Sequence, residues 1–150
     1  MKTYPSLRNF LWILLLATLL QSAVEAVTAS ARYVRFDGYS STDNGQINIY
    51  EIEIYSGGVN VAPTATITTN SGSGTSRLVD GNTTGNRFST NRNDPGQPSE
   101  SSPHRIEFDL QSVLSIDSVV VYLDNNYTVS FGLFISDDGI TWTGVGIHTS

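Results

Sequence analysis

Beyond residue 30, apolar and polar residues alternate with a period of two over most of the chain. Val34 and Phe36 alternate with Arg35 and Asp37, and Ile52 and Ile54 with Glu51, Glu53 and Tyr55. Ile106, Phe108 and Leu110 alternate with Glu107 and Asp109. Val119, Val121 and Leu123 alternate with Val120 and Tyr122, and Leu133 and Ile135 flank Phe134. Successive side chains of a strand point to opposite faces, so each run predicts a strand with one buried face. Gly, Asn, Asp, Ser and Pro clusters separate the runs, and no helical period is found among them. One run changes phase. Ile47 and Ile49 share parity with Glu51, whereas Ile52 and Ile54 have the opposite parity. Either a bulge near Tyr50-Glu51 absorbs the slip, or residues 45–49 are loop. Asn70 to Ser76 and Ser89 to Pro103 read as long loops, the second with a turn signal at Asn91 to Gly96.

The first segment follows a different pattern. Lys2 and Arg8 precede an almost unbroken apolar run from Phe10 to Leu20, and Val24-Glu25-Ala26 supplies small residues for a cut. This is the layout of a secretory signal peptide over residues 1–26, leaving 27–150 as one domain outside the cell. The apolar run is short for a membrane span, so an uncleaved anchor is the weaker reading. Past residue 26, six arginines and no lysine stand against thirteen acidic residues. Nucleic acid and anionic lipid reward clustered Lys and Arg, so this balance argues against both as partners. The chain has no cysteine, which removes disulfides, thiol catalysis and cysteine-held zinc.

Several phrases then resemble one family. Arg77-Leu78-Val79-Asp80-Gly81-Asn82 is similar to the Val-Asp-Gly-Asn signature of discoidin-like domains, also called coagulation-factor type C domains. Ile106 to Leu110 followed by Ile116 to Val121 resembles that family's "apolar-x-Asp-Leu, then Ile-x-x-Val" strand pair. Ser136 to Trp142 resembles its Ser-Asp-Asp-Gly-x-x-Trp hairpin. Arg32 to Phe36 and Tyr50 to Tyr55 resemble its two closing strands. The resemblance implies an all-β, galactose-binding-like jelly-roll β-sandwich of about eight strands, akin to family 32 carbohydrate-binding modules and fucose-binding lectins. In that family the closing strands come last, and here they come first. The expected fold is therefore circularly permuted, and the alternative is a piece straddling two tandem domains. A permuted sandwich places Arg32–Phe36 beside the hairpin ending at Trp142, and brings Glu51 to Asp80.

The Asp80-Gly81-Asn82 turn can aim several oxygens at one point, as Ca²⁺ requires, or can be an ordinary β-turn. The resemblance implies the first. It assigns to Ca²⁺ the carboxylates of Asp80 and Glu51 and the carbonyls of Tyr50, Arg77 and Asn82, with a hydroxyl from Thr83, Thr84 or Ser89. It also implies a sugar site in the loops at one end, holding Asn91, Arg92 and Asn93 on one side and Asp124, Asn125, Asn126 and Tyr127 on the other. Arg92 and Tyr127 lead this set, and His104 is secondary. The plain alternative is a set of solvated loop residues. Phe88 and Trp142 read as core. Asn82-Thr83-Thr84 and Asn126-Tyr127-Thr128 are glycosylation sequons.

No nucleophile with an activating base, paired acid and base, or catalytic metal motif is found, so the chain does not read as an enzyme. The expected function is a secreted carbohydrate-binding or adhesion domain, lectin-like and stabilised by calcium. Its partner would be a glycan or glycoprotein of galactose or fucose type. A structural or matrix module that binds protein without sugar is the alternative.

Overall fold

The alternating runs become strands, and their apolar faces meet in one core. The computed structural model describes residues 22–92, 97–127 and 129–149, with side chains from residue 29 onward. The strands are β1 (Ser22–Ser41), β2 (Asn48–Ser56), β3 (Val59–Asn60), β4 (Thr66–Thr69), β5 (Phe88–Ser89), β6 (His104–Leu123), β7 (Val129–Ser136) and β8 (Thr143–His148). Among the described residues, helix is confined to two 3-10 turns, Ala62–Thr64 and Thr75–Leu78. No described helix is long and apolar enough to cross a membrane.

All pairings between these strands are antiparallel, and two long strands link the layers of the sandwich. β1 and β6 pair along their lengths, with a register break where Ala31 faces Leu114 but Tyr33 faces Asp109. The surplus residues of β6 are taken up at Gln111, whose φ is 66° and whose N–H donates to Asp109 Oδ1 at 2.8 Å. On one side of the break, β4, the first half of β6, the second half of β1, β7 and β8 lie in that order. On the other side, the second half of β6 lies between the start of β1 and β2, which in turn carries β3 and β5. Val34, Phe36, Phe108 and Leu133 from the first layer and Ile49, Ile52, Val119 and Val121 from the second share one buried cluster. Phe36 and Phe131 stack at 4.8 Å within it. Phe88 is fully buried, as its sequence context predicts.

Of the predicted leader, only the backbone from Ser22 is described, and Ser22–Ala26 pairs with Ser118–Tyr122. The earlier part lies outside the described residues. The strand expected over Ile106–Leu110 and the one over Val119–Leu123 are a single element, β6.

The reversed closing strand sits where a permuted sandwich puts it. Tyr33–Ser41 pairs with β7, which leads into the Ser136–Trp142 hairpin. Tyr33 meets Trp142 edge-on at 6.4 Å, and the Arg35 guanidinium lies 4.2 Å from the Trp142 ring and 4.9 Å from that of Phe134. Trp142 is not the core plug expected of it. It is half-buried on the outer face, because Arg35 and Tyr33 alternate outward from the core residues Val34 and Phe36. A guanidinium over an aromatic face supplies the attraction that the core would otherwise give.

The hairpin itself is fixed by Asp138. Its Oδ1 accepts the N–H groups of Ile140 and Thr141, each at 2.8 Å, and the Ser136 hydroxyl at 2.9 Å. The Thr141 and Ile140 amides, then the Ser136 hydroxyl, lower the Asp138 pKa from 3.8 to about 2. A depressed carboxyl stabilises the fold above its unfolded pKa, and that contribution fades as pH falls through the folded value. The hairpin is therefore expected to loosen between about pH 4 and pH 2, before the sheet melts. Amide exchange at Ile140 and Thr141, followed as pH is lowered, checks this. An Asp138→Asn variant should lose the acid-dependent step.

Candidate functional site

Glu51 owes its position to an irregularity in β2. Ile49 faces Leu123 and Glu51 faces Tyr122, so Tyr50 is an extra residue on β2. This bulge restores the phase that lets Ile52 and Ile54 enter the core, and it turns Glu51 outward with Glu53. The Val79–Gly81 loop closes over Glu51, leaving it 1% exposed. Gly81 has φ +78°, a left-handed value, and its N–H lies 3.2 Å from each Glu51 carboxylate oxygen. The predicted Glu51–Asp80 approach is thus present.

Burial raises the Glu51 pKa first of all. The Gly81 amide opposes this, the Asp80 and Glu53 charges add to it, and the Asp80 amide opposes it slightly. Among the described residues, no ion pair involves Glu51 or Asp80. Two carboxylates thus meet at one loop, one of them buried and neither ion-paired, and among the described residues no third His, Asp or Glu side chain joins them. Asp80 is exposed, and its Oδ1 accepts the Asn82 amide at 2.9 Å. Asn82 Oδ1 accepts the Thr84 and Gly85 amides at 3.2 and 2.8 Å. Arg77 lies within the second 3-10 turn and is exposed, its Nη1 donating to the Arg87 carbonyl at 3.2 Å. Tyr50 is half-buried on the bulge.

At the loop end, the structure links the two predicted clusters through a residue that neither contains. Asn48 is 1% exposed. Its Nδ2 donates to Asp43 Oδ2 at 3.0 Å, its Oδ1 accepts from the Ser89 hydroxyl at 2.7 Å, and its carbonyl accepts the Asp124 amide at 3.2 Å. Asp43 is buried and takes Arg92 Nη2 on Oδ1 at 2.7 Å. Asp124 is buried as well and pairs with Arg87 Nη1. Its other oxygen caps the turn, accepting the Asn126 amide at 3.1 Å and Asn126 Nδ2 at 2.8 Å. Asp124 therefore faces inward, while Asn91, Arg92 and Asn125 are exposed and Tyr127 is half-buried. Asn93 lies outside the described residues. His104 is fully buried against the Thr90 hydroxyl at 2.9 Å, away from the rim.

Asp43, Asn48 and Arg87 had no signal in the sequence. Asp43 stands in a Thr-Asp-Asn-Gly stretch that reads as a solvated turn, and Arg87 is a lone basic residue before Phe88. The family model for the F5/8 type C domain matches residues 63–149, over half of the chain. Neither a curated protein nor a solved structure matches it. β1 and β2 precede the matched residues, yet both pair with β6 inside them, as the reversed order of the phrases requires. Domains of this type are carbohydrate-binding or adhesion modules and are typically not enzymes. The chain belongs to the F5/8 type C, or discoidin, domain family.

Proposed function

We propose that this protein is a secreted, lectin-like carbohydrate-binding domain that acts in adhesion, with a structural Ca²⁺ at Glu51 and Asp80. The observation that carries the sugar reading is the pair of arginines at one end, each anchored on a buried aspartate. Arg92 on Asp43 and Arg87 on Asp124 retain donors on the rim while their orientation is held from beneath. A fixed guanidinium fork suits ring hydroxyls, and the Tyr127 ring offers an apolar face for stacking. Each arginine is matched by an aspartate, so the rim suits a neutral galactose- or fucose-type glycan. Glu51 would hold Ca²⁺ with Asp80 and with carbonyls of Tyr50, Arg77 and Asn82; the ion would bind the bulge to the loop.

A glycan array tests the reading. The wild-type protein should bind a subset of galactosides or fucosides, and Arg92→Ala with Tyr127→Ala should weaken that binding by roughly tenfold or more. Unchanged glycan binding in the double variant would overturn the site. A protein partner captured with no glycan bound would favour the matrix module instead.

A further inference from the structure

A concavity lies at the far end of the sheet from these loops. β7 starts at Val129, next to the Asn125–Tyr127 turn, and ends at Ser136 in the hairpin. A strand rise of about 3.3 Å per residue puts the two ends roughly 23 Å apart. There a cavity of about 370 Å³ opens between the Ala29-Ser30 stretch of β1 and the hairpin. Ile135 and Ala29 form its apolar part, and Ser30, Asp137 and Thr143 add polar groups.

The polar groups of this cavity divide into two kinds. Ser136 and Asp138 are spent on the hairpin, through the bonds that fix its turn. The side chains of Ser30, Asp137 and Thr143 have no hydrogen-bond partner among the described residues. Thr143 pairs with Ile135 in the β7–β8 ladder, so it is held on the sheet, and Asp137 adjoins the rigid turn. The wall thus presents one carboxylate and two hydroxyls, all on exposed residues, beside the half-buried Ala29 and the edge of the core residue Ile135.

We propose that this cavity is a second saccharide-binding site that seats one pyranose ring. The carboxylate accepts from two neighbouring ring hydroxyls, the Ser30 and Thr143 hydroxyls donate or accept at the ring edge, and the C–H face of the sugar rests against Ala29. The volume is at the lower end of the range for small-ligand sites, which suits one ring rather than a chain. Among the described residues no basic side chain lines the cavity, so the ligand is neutral rather than anionic. A site at each end would let one domain bridge two glycan chains and gain avidity from weak single contacts. The proposal shares with the loop-end reading only the class of ligand.

The test is an amide chemical-shift titration of the ¹⁵N-labelled protein with methyl β-galactoside, methyl α-fucoside, methyl β-glucoside and, separately, methylammonium. At least one sugar should shift Ser30 and the amides of Ile135 to Thr143 saturably. Asp137→Ala should weaken that response by roughly tenfold or more, the loss expected for a charged hydrogen-bond partner. Arg92→Ala with Tyr127→Ala should leave it unchanged, so failure at one end is read separately from failure at the other. Should Asp137→Ala disturb the fold, seen in the Trp142 near-ultraviolet signal, Ser30→Tyr, which fills the cavity, must abolish the hairpin shifts. Silence of these amides toward all three sugars would overturn the proposal. So would a response to methylammonium alone, or sugar affinity unaltered by whichever variant folds.

Discussion

Asn48→Ala is expected to lower stability by about 2–4 kcal/mol, because it strips buried partners from two groups at once. Asp43 would keep only Arg92, whose side chain is half exposed, and the Ser89 hydroxyl would lose its acceptor. The loss should also reach the rim. Asp43 orients Arg92, and the Asn48 side-chain amide ties Asp43 to β2. Urea denaturation should show a lower midpoint with an unchanged slope, since the same surface is exposed on unfolding. Asn86→Ala, at an exposed position beside Arg87 and outside the hub, is the control and should cost little. A midpoint for Asn48→Ala equal to that of the control would show that the hub contributes nothing.

That hub also marks where reading the sequence stops. A period of two is a local signal, so the strands at Val34, Ile52, Ile106, Val119 and Leu133 could be placed from their own neighbours. The passage of β1 and β6 from one layer to the other could not. It depends on a register break at Ala31–Tyr33 and on Gln111 at positive φ, and neither has a distinctive residue type. Glu51 was readable because its bulge shifts the phase of the isoleucines on either side. Trp142 reads as core because a large apolar ring favours burial, whereas the partner that holds it outside, Arg35, lies more than a hundred positions earlier. Asp43, Asn48 and Arg87 escaped for the same reason. Their roles come from partners tens of residues away, and burial of a polar side chain leaves no periodic trace.

Glu51 yields the other large effect, and the sign depends on the cation. Burial raises its carboxyl above the ordinary 4.5, so the folded state holds the proton more tightly than the unfolded chain does. The stability linked to that proton is complete below the unfolded pKa and is lost as pH rises through the folded one. At neutral pH without a divalent cation, burying Glu51 is therefore a cost to the fold. Glu51→Gln copies the protonated state and can still accept the Gly81 amide. In chelator at pH 7 it should be more stable than wild type by about 1 kcal/mol, roughly 4 °C in Tm for a domain of this size. Calcium should reverse the order. Binding at a hundred times Kd stabilises by about 2.7 kcal/mol, so the wild type should gain while the variant gains little. Thermal melts of both proteins in chelator and in calcium separate the two ideas. A variant no more stable than wild type in chelator would remove the buried-charge cost. A wild type indifferent to calcium would leave that cost standing and remove the ion, and Glu51 would then be a carboxylate kept under the Gly81 loop at the expense of stability alone.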